Sequence, residues 1–334
     1  MSNELVPPGL TYLAGNIASK QNILGVSKEQ SARWAKGLNL PKASETIFFA
    51  GCGYQFSNQL ETLMSLIRKM DKSVIGAELP MRFARFQKNL GIDIPGIYSK
   101  VLAKGDDAEA QPLKSAIKVL RNYGIQPGYL AEDEPCCGAP MYASGLHKEF
   151  GENAQKAYQK LKSFGVKRII GMVPSCTHAL RTLFPQFIDG FDLEVKHFLD
   201  VVAENISSQK QRFPRQVKVT YHDPCQLGRY LGIIDEPRRI LSSIEGIELV
   251  EPEWTRGEWA TCCGGGGGFE AVFPELSQIL AVNRAGELLE TGAEIITTNC
   301  PGCLMQLKEG VKELKAEKVE VLDFSQILAM AMEN

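Results

Sequence analysis

Val217-Lys218-Val219-Thr220-Tyr221 runs straight into His222-Asp223-Pro224-Cys225, and further along the chain come Cys262-Cys263-Gly264 and Cys300-Pro301-Gly302-Cys303. The β-branched run predicts a strand whose carboxyl end delivers a cysteine. Downstream, residues 236–244 predict a helix, and Gly246-Ile247-Glu248-Leu249-Val250 predicts a second strand leading to Cys262. Helical periodicity over 270–290 stops at Gly292, a usual terminator. Glu294-Ile295-Ile296-Thr297-Thr298 predicts a third strand that delivers Cys300 to the start of another helix, and Glu320-Val321-Leu322-Asp323-Phe324 opens a last strand and helix. Strands alternating with helices predict an α/β fold with mostly parallel sheets covered on their faces.

The same order occurs upstream. Thr46-Ile47-Phe48-Phe49-Ala50-Gly51-Cys52 matches the first strand and its cysteine, and Gly124-Ile125 precedes Cys136-Cys137-Gly138 as Gly246-Ile247 precedes Cys262-Cys263-Gly264. Gly165 stands 11 residues before Cys176, as Gly292 stands 11 before Cys303, and Glu194-Val195-Lys196-His197-Phe198 matches the segment at Glu320. The economical account is two pseudo-symmetric copies of one unit, related by a pseudo-twofold, with a helical N-terminal extension. The expected division is 1–45 for the extension, 46–210 for the first copy and 211–334 for the second.

The copies are unequal. In the second, 36 residues separate Cys225 from Cys262 and 36 separate Cys263 from Cys300; in the first, 83 separate Cys52 from Cys136, so roughly 45 residues are inserted around 60–108. Val173-Pro174-Ser175-Cys176 takes the place of Cys300-Pro301-Gly302-Cys303. The first copy thus has four cysteines, Cys52, Cys136, Cys137 and Cys176, and the second has five, Cys225, Cys262, Cys263, Cys300 and Cys303.

Composition narrows the chemistry. The chain has 334 residues, 44% hydrophobic and 23% charged, which excludes disorder and collagen-like structure. Its 37 basic and 39 acidic side chains give a net charge of −2, against a nucleic-acid partner. No run approaches the ~20 apolar residues of a membrane span, and the first residues do not read as a secretory signal. Nine cysteines, an odd number, then point to a cytoplasmic protein whose thiols are reduced or hold metal. Adjacent cysteines pair poorly with one another, because consecutive Cα atoms sit only ~3.8 Å apart.

Thiolate sulfur suits iron–sulfur clusters, zinc or copper(I). Five thiolates with only one Cys-x-x-Cys knuckle fit a multi-iron cluster better than four-coordinate zinc. The four-cysteine copy admits an iron–sulfur cluster, zinc or an empty site. A metal-free dithiol oxidoreductase using Cys300 and Cys303 is a further alternative. The glycines of 264–268 can form a nest whose N–H groups face inorganic sulfide, or simply a flexible turn. His222 is a candidate donor to sulfur or proton carrier, with a structural strand-end histidine as the alternative. His178 is a weaker candidate ligand, and His147 and His197 read as structural or exposed. Arg82, Arg85 and Lys88 among Phe83 and Phe86 read as a solvated basic helix face or a surface for a partner or anionic substrate. Asp133-Glu134 reads as turn chemistry. No phosphate loop or dinucleotide fingerprint is present in the right context.

The cysteine pattern with its CCG triplets resembles the cysteine-rich CCG domain. Two copies in one chain are similar to the catalytic B-type component of heterodisulfide reductase and the related D-type component. The domain also appears in iron–sulfur subunits of glycolate oxidase, glycerol-3-phosphate dehydrogenase and certain succinate:quinone reductases. The resemblance covers approximately residues 47–334, and Ser31-Ala32-Arg33-Trp34-Ala35 looks like the linker after the ferredoxin domain of fused D-type components. It implies one non-cubane [4Fe–4S] cluster on Cys225, Cys262, Cys263, Cys300 and Cys303, and redox chemistry on a disulfide, thiol or persulfide. The valine at 173 departs from the pattern and leaves the first-copy cofactor open between a second iron–sulfur cluster and zinc. The implied partners are a ferredoxin-like C-type subunit and a flavin-containing A-type subunit, with peripheral membrane association through them. The alternative reading is a non-catalytic electron-transfer or docking subunit of a dehydrogenase–quinone complex.

Overall fold

Two wholly parallel sheets carry the chain's cysteines in a computed structural model that describes residues 6–71, 111–208 and 210–332. The first sheet has the order β1 (Thr46–Phe49), β2 (Arg168–Gly171), β3 (Glu194–His197). The second has the order β5-β4-β6-β7, with β4 Gln211–Tyr221, β5 Ile244–Leu249, β6 Ile295–Thr298 and β7 Glu320–Asp323. Thr46 pairs with Arg168 as Val219 pairs with Ile295, so the two sheets share one register. β6 is buried along its whole length, as expected of a parallel strand covered on both faces. The α/β duplication read from the sequence is the observed architecture. Arg82, Phe83, Arg85, Phe86 and Lys88 lie outside the described residues.

One expected strand is missing. After Gly124-Ile125 the first copy makes only an isolated bridge, in which Phe48 N–H donates to the Gly128 carbonyl at 2.8 Å and Gly128 N–H donates to Thr46 at 2.8 Å. Pro127 has no N–H for a longer ladder. The bridge still fills, beside β1, the place that β5 fills beside β4. The helix expected over 270–290 is also divided, into Phe269–Val272 and Pro274–Leu289. Pro274 cannot continue a helix but suits the first position of a new one.

The copies exchange helices. Phe198–Asn205, which follows β3, packs on Asp235–Ser242 of the second copy, and Phe324–Ala331, which follows β7, packs on Gln111–Asn122 of the first. Ser325 Oγ donates to the Pro112 carbonyl at 2.8 Å across that contact. One apolar core therefore runs through both sheets and includes Phe48, Phe198, Leu241 and Phe324. Each such fully buried side chain contributes about 1.5–3 kcal/mol. The N-terminal region carries the helices Pro8–Lys20 and Lys28–Ala32, and Trp34 inserts against the rings of Phe48 (5.8 Å) and Tyr129 (4.7 Å).

Candidate metal centres

In the first copy, Cys52 opens the short helix Cys52–Gln55 after β1, Cys176 lies in Pro174–His178 after β2, and Cys136 and Cys137 lie in the loop after the Gly128 bridge. The four sulfurs meet in two contacts, Cys52–Cys136 at 3.8 Å and Cys137–Cys176 at 3.0 Å, and all four cysteines are free and buried. Gly51 has φ +71°, and a Cβ there would stand 2.8 Å from Val173 Cγ2 and 3.0 Å from Cys176 Sγ. Only glycine lets the chain pass so close to the cluster of sulfurs. Sulfur contact with Cys136 and burial push the Cys52 thiol well above its usual range. Thiols crowded in this way ionise readily only beside a cation, which is the chemistry of a metal site.

Side chains distant in sequence brace this pocket. Glu134 is buried and its carboxylate accepts from Ala50 N–H (2.8 Å), Gly51 N–H (2.9 Å) and Gln55 Nε2 (2.6 Å). Burial pushes its carboxyl up to about 8. Asp133 stays at the surface with Lys42 (2.6 Å) and Lys160 (2.7 Å), so the turn reading suits Asp133, while Glu134 turns inward. The extension contributes Gln21, whose amide accepts from Cys136 N–H at 3.3 Å and donates to Asn153 at 3.0 Å; Asn153 in turn donates to the Cys136 carbonyl.

The second copy places its cysteines on matching elements. Cys225 opens the helix Cys225–Leu231 after β4, Cys300 caps the helix Pro301–Glu313 after β6, and Cys303 lies in that helix's first turn. Cys263 and Cys303 sulfurs lie 3.2 Å apart, the counterpart of Cys137–Cys176. The outer cysteines differ: Cys262 is exposed, and Cys225 and Cys300 are half-buried. Gly264 N–H donates to Cys262 Sγ at 3.3 Å, a local bond to the chain's own sulfur, whereas Gly266 N–H goes to the Glu270 carboxylate. A Cβ on Gly264 would sit 2.3 Å from the Ser277 carbonyl oxygen.

His222, Cys263 and Cys303 are buried with a ring nitrogen and the two sulfurs within 4.8 Å of one another. Behind the ring, fully buried Arg284 donates Nε–H to His222 Nδ1 at 3.0 Å. The Cys263 thiol is held well below its ordinary range by its contacts with Cys262 and Cys303, and further by His222. Among the described residues, the buried side-chain polar atoms without a partner all fall in the second half, and they include His222 Nε2, Tyr221 Oη, Thr298 Oγ1 and Asn299 Oδ1. Unpaired buried polar atoms in the copy that holds free thiols are what a site shaped for a further group leaves behind.

The two sites adjoin. A Cβ on Gly53, next to Cys52, would stand 2.6 Å from the ring of Pro301, next to Cys300. Tyr54 Oη donates to Asp323, and Asn299 Nδ2 donates to Tyr54 Oη at 3.3 Å. At the pseudo-equivalent contact, Pro174–His178 packs on Cys225–Leu231, with His178 against the Tyr230 ring at 4.8 Å. His178 therefore faces the second copy rather than the first-copy sulfurs. His147 is exposed and stacks on Tyr142, and His197 is buried as a helix cap. Arg284, Gln21 and Tyr54 were not singled out in the sequence, and Glu134 was read there only as turn chemistry. Arg284 had a signal, since it interrupts the buried stripe Ala281, Ala285, Leu288.

Two sets of free thiols at the carboxyl ends of duplicated parallel sheets define a soft-metal, cysteine-rich α/β protein. The sequence pattern of the cysteine-rich domain matches residues 102–181 and 219–308, about half of the chain, and the chain belongs to that family. It is similar to the EtfAB:quinone oxidoreductase of Syntrophomonas wolfei, 33% identical over 71% of this chain and 34% of that protein. It is similar also to the D-type component of the dihydromethanophenazine:CoB–CoM heterodisulfide reductase of Methanosarcina acetivorans, 32% identical over 64% of this chain and 54% of that one. A third relative is the probable iron-sulfur-binding oxidoreductase FadF of Bacillus subtilis, 34% identical over 65% of this chain and 31% of that protein. The chain thus spans between a third and about half of the length of these relatives. Among the described residues, no helix is long and apolar enough to cross a membrane.

Proposed function

We propose that the chain is an iron–sulfur subunit of a heterodisulfide-reductase-like oxidoreductase complex. In this reading Cys225, Cys262, Cys263, Cys300 and Cys303 hold a non-cubane [4Fe–4S] cluster. Cys52, Cys136, Cys137 and Cys176 hold a second iron–sulfur cluster or zinc. The carrying observation is the second copy's gradation from a buried inner pair, Cys263 and Cys303, to an exposed Cys262. Such a pocket anchors a cluster from below and leaves one side open to a disulfide, thiol or persulfide. When bound, the cluster supplies one-electron steps at sulfur.

The chain's own residues orient and shield. Asp223, held by both Arg238 Nη atoms at 2.8 Å and by Gly257 N–H at 2.8 Å, fixes the turn that presents Cys225. Gly264 N–H donates toward Cys262, and the positive end of the helix Pro301–Glu313 lies at Cys300, with Cys303 in its first turn. Electrons come from a separate ferredoxin-like C-type subunit, with a flavin-containing A-type subunit beyond it, in a cytoplasmic assembly that reaches the membrane only through its partners. The relation to the EtfAB:quinone oxidoreductase favours one rival, an electron-carrying subunit between a dehydrogenase and a quinone-linked partner. Trp254 and Trp259, 77% and 78% exposed on the loop leading to Cys262, would then serve docking.

Anaerobic purification with iron and acid-labile sulfide analysis tests the reading. Wild type is expected to carry at least four irons per chain and Cys300→Ser to lose most of the second-copy iron; zinc alone, or a Cys300→Ser protein with unchanged iron and spectrum, refutes it. A thiol that perturbs the paramagnetic resonance spectrum of the second-copy cluster favours substrate chemistry, and an unchanged spectrum favours the electron-carrying rival.

A further inference from the structure

We infer that Arg284 and His222 form a positioning pair that fixes an N–H donor against the Cys263 and Cys303 sulfurs and raises the reduction potential of the second-copy cluster. The inference rests on the function proposed above and adds how that site is tuned. Arg284 is fully buried, with Nε and Nη1 held by neighbours and Nη2 without a partner. Nη1 donates to the Thr255 carbonyl (2.9 Å), Thr255 Oγ1 (3.1 Å), Thr261 Oγ1 (3.3 Å) and the Glu287 carboxylate (2.7 Å), and Nε donates to His222 Nδ1 (3.0 Å). A guanidinium has no acceptor. Nδ1 must therefore be the ring's acceptor, and its proton sits on Nε2.

That Nε2 is buried without a partner, and the ring shares a space of less than 4.8 Å with two sulfurs. Hydrogen bonds to cluster sulfur favour the reduced, more negative form, one of the main determinants of potential. The first copy has no such device. By the register and glycine matches between copies, Phe49 occupies the position of His222 and Ala157 that of Arg284, both buried and apolar. Two sites with matched inner cysteine pairs thus differ in this donor, and only the open one has it.

The test is a redox titration of the anaerobically purified protein, followed by paramagnetic resonance, on the signal that Cys300→Ser abolishes. His222→Phe combined with Arg284→Ala installs the pair that the first copy already accommodates. Its second-copy signal is expected to become about tenfold harder to reduce, a fall of about 59 mV for one electron, with iron and sulfide unchanged and the first-copy signal unmoved. His222→Asn, which keeps an N–H donor, is expected to recover part of that shift. Imidazole ¹⁵N resonances should report the Nε2–H tautomer of His222 in wild type and a tautomer mixture in Arg284→Gln. An iron-replete double variant with the wild-type midpoint overturns the inference. So does an Nδ1–H tautomer in wild type, or loss of iron on His222→Phe, which would make His222 a ligand. Wild type without iron instead overturns the function reading itself.

Discussion

The first cysteine pocket is closed and the second is open, although both hang on the same strands. Cys52, Cys136, Cys137 and Cys176 are all buried, whereas Cys262 reaches solvent and Cys225 and Cys300 are half-buried. The closed pocket has Val173 where the open one has Cys300, and an apolar Phe49–Ala157 pair where the open one has His222–Arg284. It is also clamped from outside: the extension's Gln21 reaches Cys136, and Glu134 fills the place held in the second copy by Ala260. Duplication preserved the scaffold, while one pocket is enclosed and the other has access to solvent and buried polar neighbours. That contrast supports assigning substrate chemistry to the second copy.

The largest expected effect comes from breaking what is peculiar to the open side. Arg238 lies between Asp223 and Glu251, with both carboxylates within 2.8 Å and almost wholly buried. Arg238→Met leaves buried Asp223 without its cation and Glu251 with only Arg256 at 3.4 Å, and removal of one partner from such a buried arrangement costs about 3–5 kcal/mol. Anaerobic urea unfolding should show that loss, with second-copy iron falling before first-copy metal. A loss below about 1 kcal/mol would mean that water reaches Asp223 and that the turn before Cys225 is not held by charge.

Much of this contrast was legible in the sequence. Short apolar runs ending in cysteine at repeated spacings pointed to the strands, the duplication and the inequality at Val173. The failures were local or long-range. Pro127 reduced an expected strand to one bridge, and Pro274 divided an expected helix. The bracing contacts escaped because their partners are far apart in the chain: Glu134 stands 84 positions after Ala50 and Arg284 62 positions after His222. Sequence periodicity reports which face of an element is buried, but not which buried polar atom will meet another.

A smaller effect should sharpen the closed side. Glu134→Gln keeps the side chain's shape but leaves one of the Ala50 and Gly51 N–H groups facing an amide N–H₂ rather than an oxygen. An unsatisfied buried donor costs about 1–3 kcal/mol. The loss should appear in anaerobic denaturation together with weaker metal retention by the first copy only. Equal metal loss from both copies would show that the pockets are not separately braced.

The mildest test concerns the caps that follow the last strand of each copy. His197 Nδ1 accepts from Leu199 N–H at 3.2 Å, its ring meets the Met172 carbonyl at 3.2 Å, and the matching Asp323 accepts from Ser325 N–H at 2.9 Å. Burial lowers the His197 imidazole to about 3 and raises the Asp323 carboxyl. The signs are opposite. Unfolded chains protonate the histidine near pH 6.5 while the folded protein does not, so His197's contribution is whole above that pH and is lost as pH falls toward 3. Asp323, with its folded value raised, instead costs stability as pH rises above about 3.8. From about pH 7.5 to 5.5 the histidine should therefore remove about 1.4 kcal/mol. His197→Asn keeps a cap acceptor and no titrating ring, so its unfolding free energy should lack that decline. An unchanged acid slope in His197→Asn would move the cause to another group and leave the two caps energetically alike near neutrality.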